Sequence, residues 1–187
     1  MTRVTKRQAT RERIAQAAFT LFLKRGFDAV TMDEIAELAG VSRRTLFRYF
    51  PTKVELVFPE HERRLGLFQS VLADAQELPA RLRVQRALLG LVQDCQDSSE
   101  HLLSQAQIIG EHPVLVAAEL SRDAQWEAAM AQTLAAEMPT LRAQMLAGAL
   151  GGLMRAVIRA WVASDCSLPL SELAEQAQAL IDLESQP

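Results

Sequence analysis

Aromatic residues are scarce in this chain of 187 residues: seven Phe, two Trp and one Tyr make up 5% of it. Yet 49% of the residues are hydrophobic, chiefly Ala and Leu, so the core must be built from small and aliphatic side chains at close quarters. Runs of β-branched residues with alternating polarity, which mark half-buried strands, are also lacking. An all-α fold follows. Cysteine is nearly absent, and Cys95 and Cys166 stand far apart in no metal-ligand spacing. With no secretory signal pattern either, the expectation is a reduced cytoplasmic setting with two buried thiols. His61, His101 and His112 are scattered without His-x-x-x-His spacing, and no nucleophile elbow or glycine-rich phosphate loop occurs. On that basis no enzyme, no metal and no cofactor is expected. The uninterrupted apolar stretch over residues 147–154 falls far short of the roughly 20 residues that span a bilayer, so no membrane association is expected.

Charge is unevenly spread. The formal net charge is −3, but residues 1–58 hold eleven Lys/Arg against six Asp/Glu, a balance of +5, and the remainder carries −8. A basic head on an acidic body is what binding phosphates through one end requires.

The basic end contains the most informative stretch, residues 31–53, which reads Thr-Met-Asp-Glu-Ile-Ala-Glu-Leu-Ala-Gly-Val-Ser-Arg-Arg-Thr-Leu-Phe-Arg-Tyr-Phe-Pro-Thr-Lys. Thr31 with Glu34, and Thr52 with Glu55, form Ser/Thr-x-x-Glu capping boxes. Ser42 supplies a third cap between them. Gly40 ends the first short helix, because it tolerates the left-handed conformation. Two short helices joined by a glycine-bearing turn describe a helix-turn-helix. The second, over residues 43–50, sets Arg43, Arg44, Thr45, Arg48 and Tyr49 around a spine of Leu46, Phe47 and Phe50, as expected of a helix lying in a DNA major groove. Arg43 and Arg44, on its first turn, are candidates for bidentate pairing with guanine. Thr45 and Tyr49 lie four apart and share a face.

In order and spacing, Ile35-Ala36, Ala39-Gly40-Val41-Ser42, Thr45-Leu46-Phe47, Tyr49-Phe50 and Lys53 resemble the DNA-binding head of TetR-type transcriptional repressors. Ile14, Ala17-Ala18, Leu21-Phe22 and Gly26-Phe27 continue the resemblance, which covers roughly residues 11–56. It implies a three-helix DNA-binding domain over residues 1–51 and an effector-binding and dimerisation domain over 52–187, about nine helices in all. It also implies DNA contacts from Thr31, Ser42, Arg43, Arg44, Thr45, Phe47, Tyr49 and Lys53, with Arg43 and Arg44 on base edges and Thr31, Thr45, Tyr49 and Lys53 on phosphates. Phe47 departs from the commoner tyrosine and loses a hydroxyl that would bond phosphate.

Beyond the head, helices are expected over residues 61–76, 80–96, 100–109, 114–137, 141–164 and 171–183. Pro59 falls inside a helical run begun at Lys53, so a kink or break is expected there, either as a hinge or as a fixed bend. Gly148, Gly151 and Gly152 each cost a helix about 1 kcal/mol relative to Ala, tolerable where another helix approaches closely. The resemblance implies that the last two helices pair with a second copy, through Gly148, Gly152, Val157, Trp161, Leu173, Ala177, Leu180 and Ile181. It also implies a small-molecule pocket, for which Cys95, Ile108, Ile109, Trp126, Met130 and Met154 are candidate linings. Arg155 either meets an anionic head group or pairs with an acidic neighbour. The function implied is a homodimeric repressor bound to a (pseudo)palindromic double-stranded DNA operator and released by an apolar or amphipathic effector. The alternative is a DNA-organising protein with the same head and no effector.

Overall fold

The computed structural model describes residues 3–74, 76–110 and 112–182, with side chains from residue 6 to residue 176. Among them there are nine α-helices and no strand. The chain divides into two compact units, Met1–His61 with Ser104–Ala118, and Glu62–Leu103 with Glu119–Pro187. A cut at residue 51 therefore falls inside the first unit. Leu56, Val57 and Phe58, past that cut, are buried in the same cluster as Ile14, Ile35, Leu46 and Phe50, and Ile109 and Leu115 complete it.

In the first unit, α1 (Arg3–Arg25) buries Ile14, Ala15, Ala17, Ala18, Phe19 and Phe22. This is the stripe that three- and four-residue spacing creates. Gly26 stops the helix at φ +82°, its N–H bonded to the Phe22 carbonyl at 2.8 Å. Then α2 (Met32–Leu38) opens on the Thr31 capping box. At its far end the Gly40 N–H meets the Glu37 carbonyl and the Val41 N–H meets the Ala36 carbonyl, each at 3.0 Å. That is a Schellman ending, and it needs the positive φ of +60° that Gly40 adopts. Leu38 is 53% exposed, because so short a helix can turn only Ile35 and Ala36 fully inward. Next, α3 (Arg43–Tyr49) starts at Ser42, whose Oγ accepts the Thr45 N–H at 3.2 Å.

The helix expected from Lys53 is one turn of 3-10 helix, Val54–Val57. Pro59 enforces a break rather than a kink: residue 58 leaves the helical region, as a residue before proline tends to do. A fresh helix, α4 (His61–Asp74), then begins.

In order, the remaining helices are α5 (Ala80–Asp97), α6 (Ser99–Ile109), α7 (Pro113–Leu134), α8 (Thr140–Ala163) and α9 (Leu170–Asp182). The second unit has two apolar clusters. One gathers Phe68, Val84, Met130, Leu134 and Ala147, with Trp126 standing edge-on to Phe68 at 5.2 Å. The other gathers Val92, Cys95, Val157, Trp161 and Leu170. Pro79 gives α5 no side-chain cap, and Glu137 supplies one from afar by accepting the Ala80 N–H at 2.8 Å. By length and composition alone α8 suffices to cross a membrane. Of its 24 residues, Ala143, Ala147, Gly151, Val157 and Trp161 are buried against the protein.

Candidate nucleic-acid interface

The caps fix the turn between α2 and α3, and with it the surface that α3 presents. Thr31 and Glu34 bond reciprocally: the Glu34 N–H reaches Thr31 Oγ1 at 3.3 Å, while Glu34 Oε2 accepts the Thr31 N–H at 2.8 Å and the Thr31 hydroxyl at 2.9 Å. Arg25 closes on the other oxygen at 2.6 Å. The Thr31 N–H, then the Arg25 guanidinium, hold the Glu34 carboxyl down at about 2. Ser42 and Thr45 join hydroxyl to hydroxyl at 2.9 Å, so these two polar tips lie together at the start of α3.

Buried Leu46 and Phe50 seat α3 and leave Arg43, Arg44, Phe47 and Arg48 exposed, with Thr45 and Tyr49 half-buried. Arg43 donates to Asp33 at 3.1 Å and its guanidinium lies 5.5 Å from the centre of the Phe47 ring. Both partners of the Asp33 pair are more than 60% exposed, so the pair holds Arg43 by little and releases it to a base cheaply. Arg48 rests against Tyr49 instead, at 5.3 Å. The Lys53 Nζ donates to the carbonyls of Phe27, Val30 and Asp28.

Sequence reasoning passed over Arg11. Its Nε and Nη2 donate to the Pro59 carbonyl at 3.2 and 2.9 Å, its Nη1 donates to the Tyr49 carbonyl at 3.0 Å, and its guanidinium covers the Phe50 ring at 4.4 Å. The side chain thus ties α1 to the last turn of α3. A signal was available, since Arg11 precedes Ile14 and Ala15 by three and four residues and so lies on the buried stripe.

The proposed effector residues fall in three apolar clusters. Ile108 and Ile109 belong to the core of the first unit, Trp126 and Met130 to one cluster of the second, and Cys95 and Met154 to the other. Burial raises the Cys95 thiol above its ordinary range. Arg155 is paired with Glu127 at 2.7 Å and lies 3.7 Å from Asp123. Glu127 fits there because Gly151 has no Cβ; one would come within 2.6 Å of its Oε1. In the second unit a groove of about 270 Å³ is lined by Leu88, Val92, Leu150 and Met154, with Gln85 and Glu175 as its polar members.

Among the residues proposed for a subunit interface, Val157 and Trp161 are buried inside their own chain, at 8% and 1% exposure. The Trp161 indole N–H is satisfied by the Leu168 carbonyl at 2.8 Å. They are core residues, not surface. Gly148 faces open space, Gly152 has only Arg155 nearby, and Leu173 packs on the cluster around Trp161. Ala177, Leu180 and Ile181 lie outside the residues whose side chains are described.

A basic, exposed recognition helix on a capped three-helix core defines a helix-turn-helix protein. The family model for bacterial regulatory proteins of the tetR family matches residues 14–58, and that for the MftR C-terminal domain matches residues 78–184. The chain belongs to the TetR family of bacterial regulatory proteins. It is 30% identical over 134 residues to the putative mycofactocin biosynthesis transcriptional regulator MftR of Mycobacterium tuberculosis, covering 70% of this chain and 66% of that one. The chain spans about two thirds or less of the length of the curated relatives it matches. Among solved structures, the SmeT–triclosan complex superposes with a TM-score of 0.67 at 18% identity, over 92% of this chain and 89% of the other. Thermus thermophilus FadR in complex with lauroyl-CoA superposes with a TM-score of 0.57 at 26% identity, over 91% and 92%.

Proposed function

We propose that this protein is a transcriptional repressor that binds a (pseudo)palindromic DNA operator as a homodimer and is released by a small effector. The observation that carries the reading is the exposed α3 face, where Arg43, Arg44 and the Ser42–Thr45 hydroxyl pair share one end of a helix locked by Leu46 and Phe50. Arg43 and Arg44 read base edges; Thr31, Ser42, Thr45 and Tyr49 grip phosphates. Phe47, 37% exposed, offers an apolar face that suits a thymine methyl.

One α3 reads only a few base pairs. A two-fold pair reads two half-sites about 34–36 Å apart. The exposed flank of α8 suits such pairing: Leu141 and Met145 are 69% and 68% exposed, and Gly148 and Gly152 continue their face at helical spacing. An apolar or amphipathic effector suits the groove around Leu88 and Met154, and the lauroyl-CoA bound by Thermus thermophilus FadR is a ligand of that class. Selection of bound sequences from random duplexes with the full chain tests the reading. Enrichment of a pseudo-palindrome is expected, and enrichment of no motif would overturn it.

A further inference from the structure

The groove of the second unit runs between α5, α8 and α9, and its charge is one-sided. Its apolar lining comes chiefly from Leu88 and Val92 of α5 and from Leu150, Leu153 and Met154 of α8. Two polar residues complete it, Gln85 of α5 and Glu175 of α9, and both are exposed. Among the described residues neither is engaged by a hydrogen bond or an ion pair. No lysine, arginine or histidine is among the residues that line the groove. The α9 wall holds none along Leu170–Asp182, and it adds a second exposed carboxylate, Glu172, one turn before Glu175. The arginines of α8 that flank the lining answer to α7 instead. Arg155 bonds Glu127 at 2.7 Å, and Arg159 draws on Glu119.

We propose that this groove takes an amphiphile with a cationic head, an alkyl ammonium whose chain lies on Leu88, Val92 and Met154 and whose head meets Glu175. The chain supplies affinity, because apolar surface leaves water on both sides. The head supplies selection. A carboxylate or phosphate head would arrive beside Glu175 and Glu172 with no cation to receive it, whereas an ammonium finds an unengaged carboxylate there. Gln85 is neutral and opposes neither sign. For its regulatory meaning the proposal rests on the effector reading above, but the binding itself is measured without DNA.

Calorimetric titration of the full chain with octylamine, octanol and octanoate decides it, since the three share a chain and differ in head charge. Octylamine is expected to bind about tenfold or more tighter than octanoate, equivalent to about 1.4 kcal/mol, with octanol between them. Glu175→Gln, a change at an exposed position, should bring octylamine down to octanol and leave octanol as it was. At about 1 M salt, where exposed charges act over only about 3 Å, the gap between amine and acid should narrow. Octanoate bound as tightly as octylamine, selectivity unchanged in Glu175→Gln, or no binding of any of the three would overturn the proposal. So would octylamine that binds the monomer alone in sedimentation, which would give the groove to a second copy. Release of operator DNA is read separately. Selective octylamine binding without release would uphold the cationic site and remove the effector role.

Discussion

Glu34 closes the N-terminus of α2 from two directions, accepting the Thr31 N–H on one oxygen and the Arg25 guanidinium on the other. Its carboxyl titrates at about 2 instead of 4.5. A depressed acid contributes stability that is present in full above the ordinary value and is lost as pH falls through the folded one. Glu34→Gln should therefore melt below wild type at pH 7, and the gap should shrink once pH drops under 4.5 and close toward pH 2. Thermal unfolding followed across that window checks this; a gap independent of pH would mean that the charge contributes nothing. Since the cap sits at Thr31, the same variant should also loosen the approach of α2 to DNA.

Along α7, Glu119, Asp123 and Glu127 recur every four residues and face Arg155 and Arg159 of α8, so three carboxyls share two guanidiniums. Burial, against the pull of Arg155 and aided by Glu119 and Glu127, raises Asp123 to about 6. Burial likewise raises Glu119. A raised acid contributes stability that is present in full below its ordinary value of 3.8 and is lost as pH climbs through about 6. Asp123→Asn should then stabilise the protein at pH 7.5 by about 1–3 kcal/mol, with the advantage gone below pH 4. A melting series from pH 4 to 8 measures it, and destabilisation at pH 7.5 would show that the Arg155 pair outweighs burial. None of this was legible in sequence beyond the remark that Arg155 meets an anion or an acidic neighbour. The same holds for Arg11 and Lys53, whose partners lie 23 to 48 residues away. What could be read was local: the caps at Thr31 and Ser42, the glycine endings and the stripe of α1 depend on neighbours within five residues. Trp161 and Val157 were misplaced for a related reason. Periodicity identifies the apolar positions of α8 but not which of its faces the chain covers with its own α5 and α9.

For the whole molecule, association is the property that one chain leaves to be measured. Gly148 meets nothing within 4 Å in its own subunit, so in a lone chain Gly148→Ala would relieve about 1 kcal/mol of helix cost and raise the melting temperature by roughly 2–4 °C. If α8 seats a second copy there, a bulkier change must push the copies apart. Gly148→Leu is expected to move the monomer–dimer midpoint in analytical ultracentrifugation about tenfold or more upward, a loss of about 1.4 kcal/mol. A monomeric wild type at micromolar concentration would remove the dimer altogether. The membership of Ser104–Ala118 in the first unit bears on a practical matter. Anyone transplanting this reading head onto another sensor by joining chains near residue 51 or 61 would leave behind Ile109, Leu115, Gln105 and His112. Of these, Ile109 and Leu115 pack in its core, Gln105 bonds the Val57 carbonyl at 2.7 Å and His112 meets Asp28. A hybrid regulator that works must carry two separate pieces of this chain, or find a host whose corresponding fifteen-residue insert already fits.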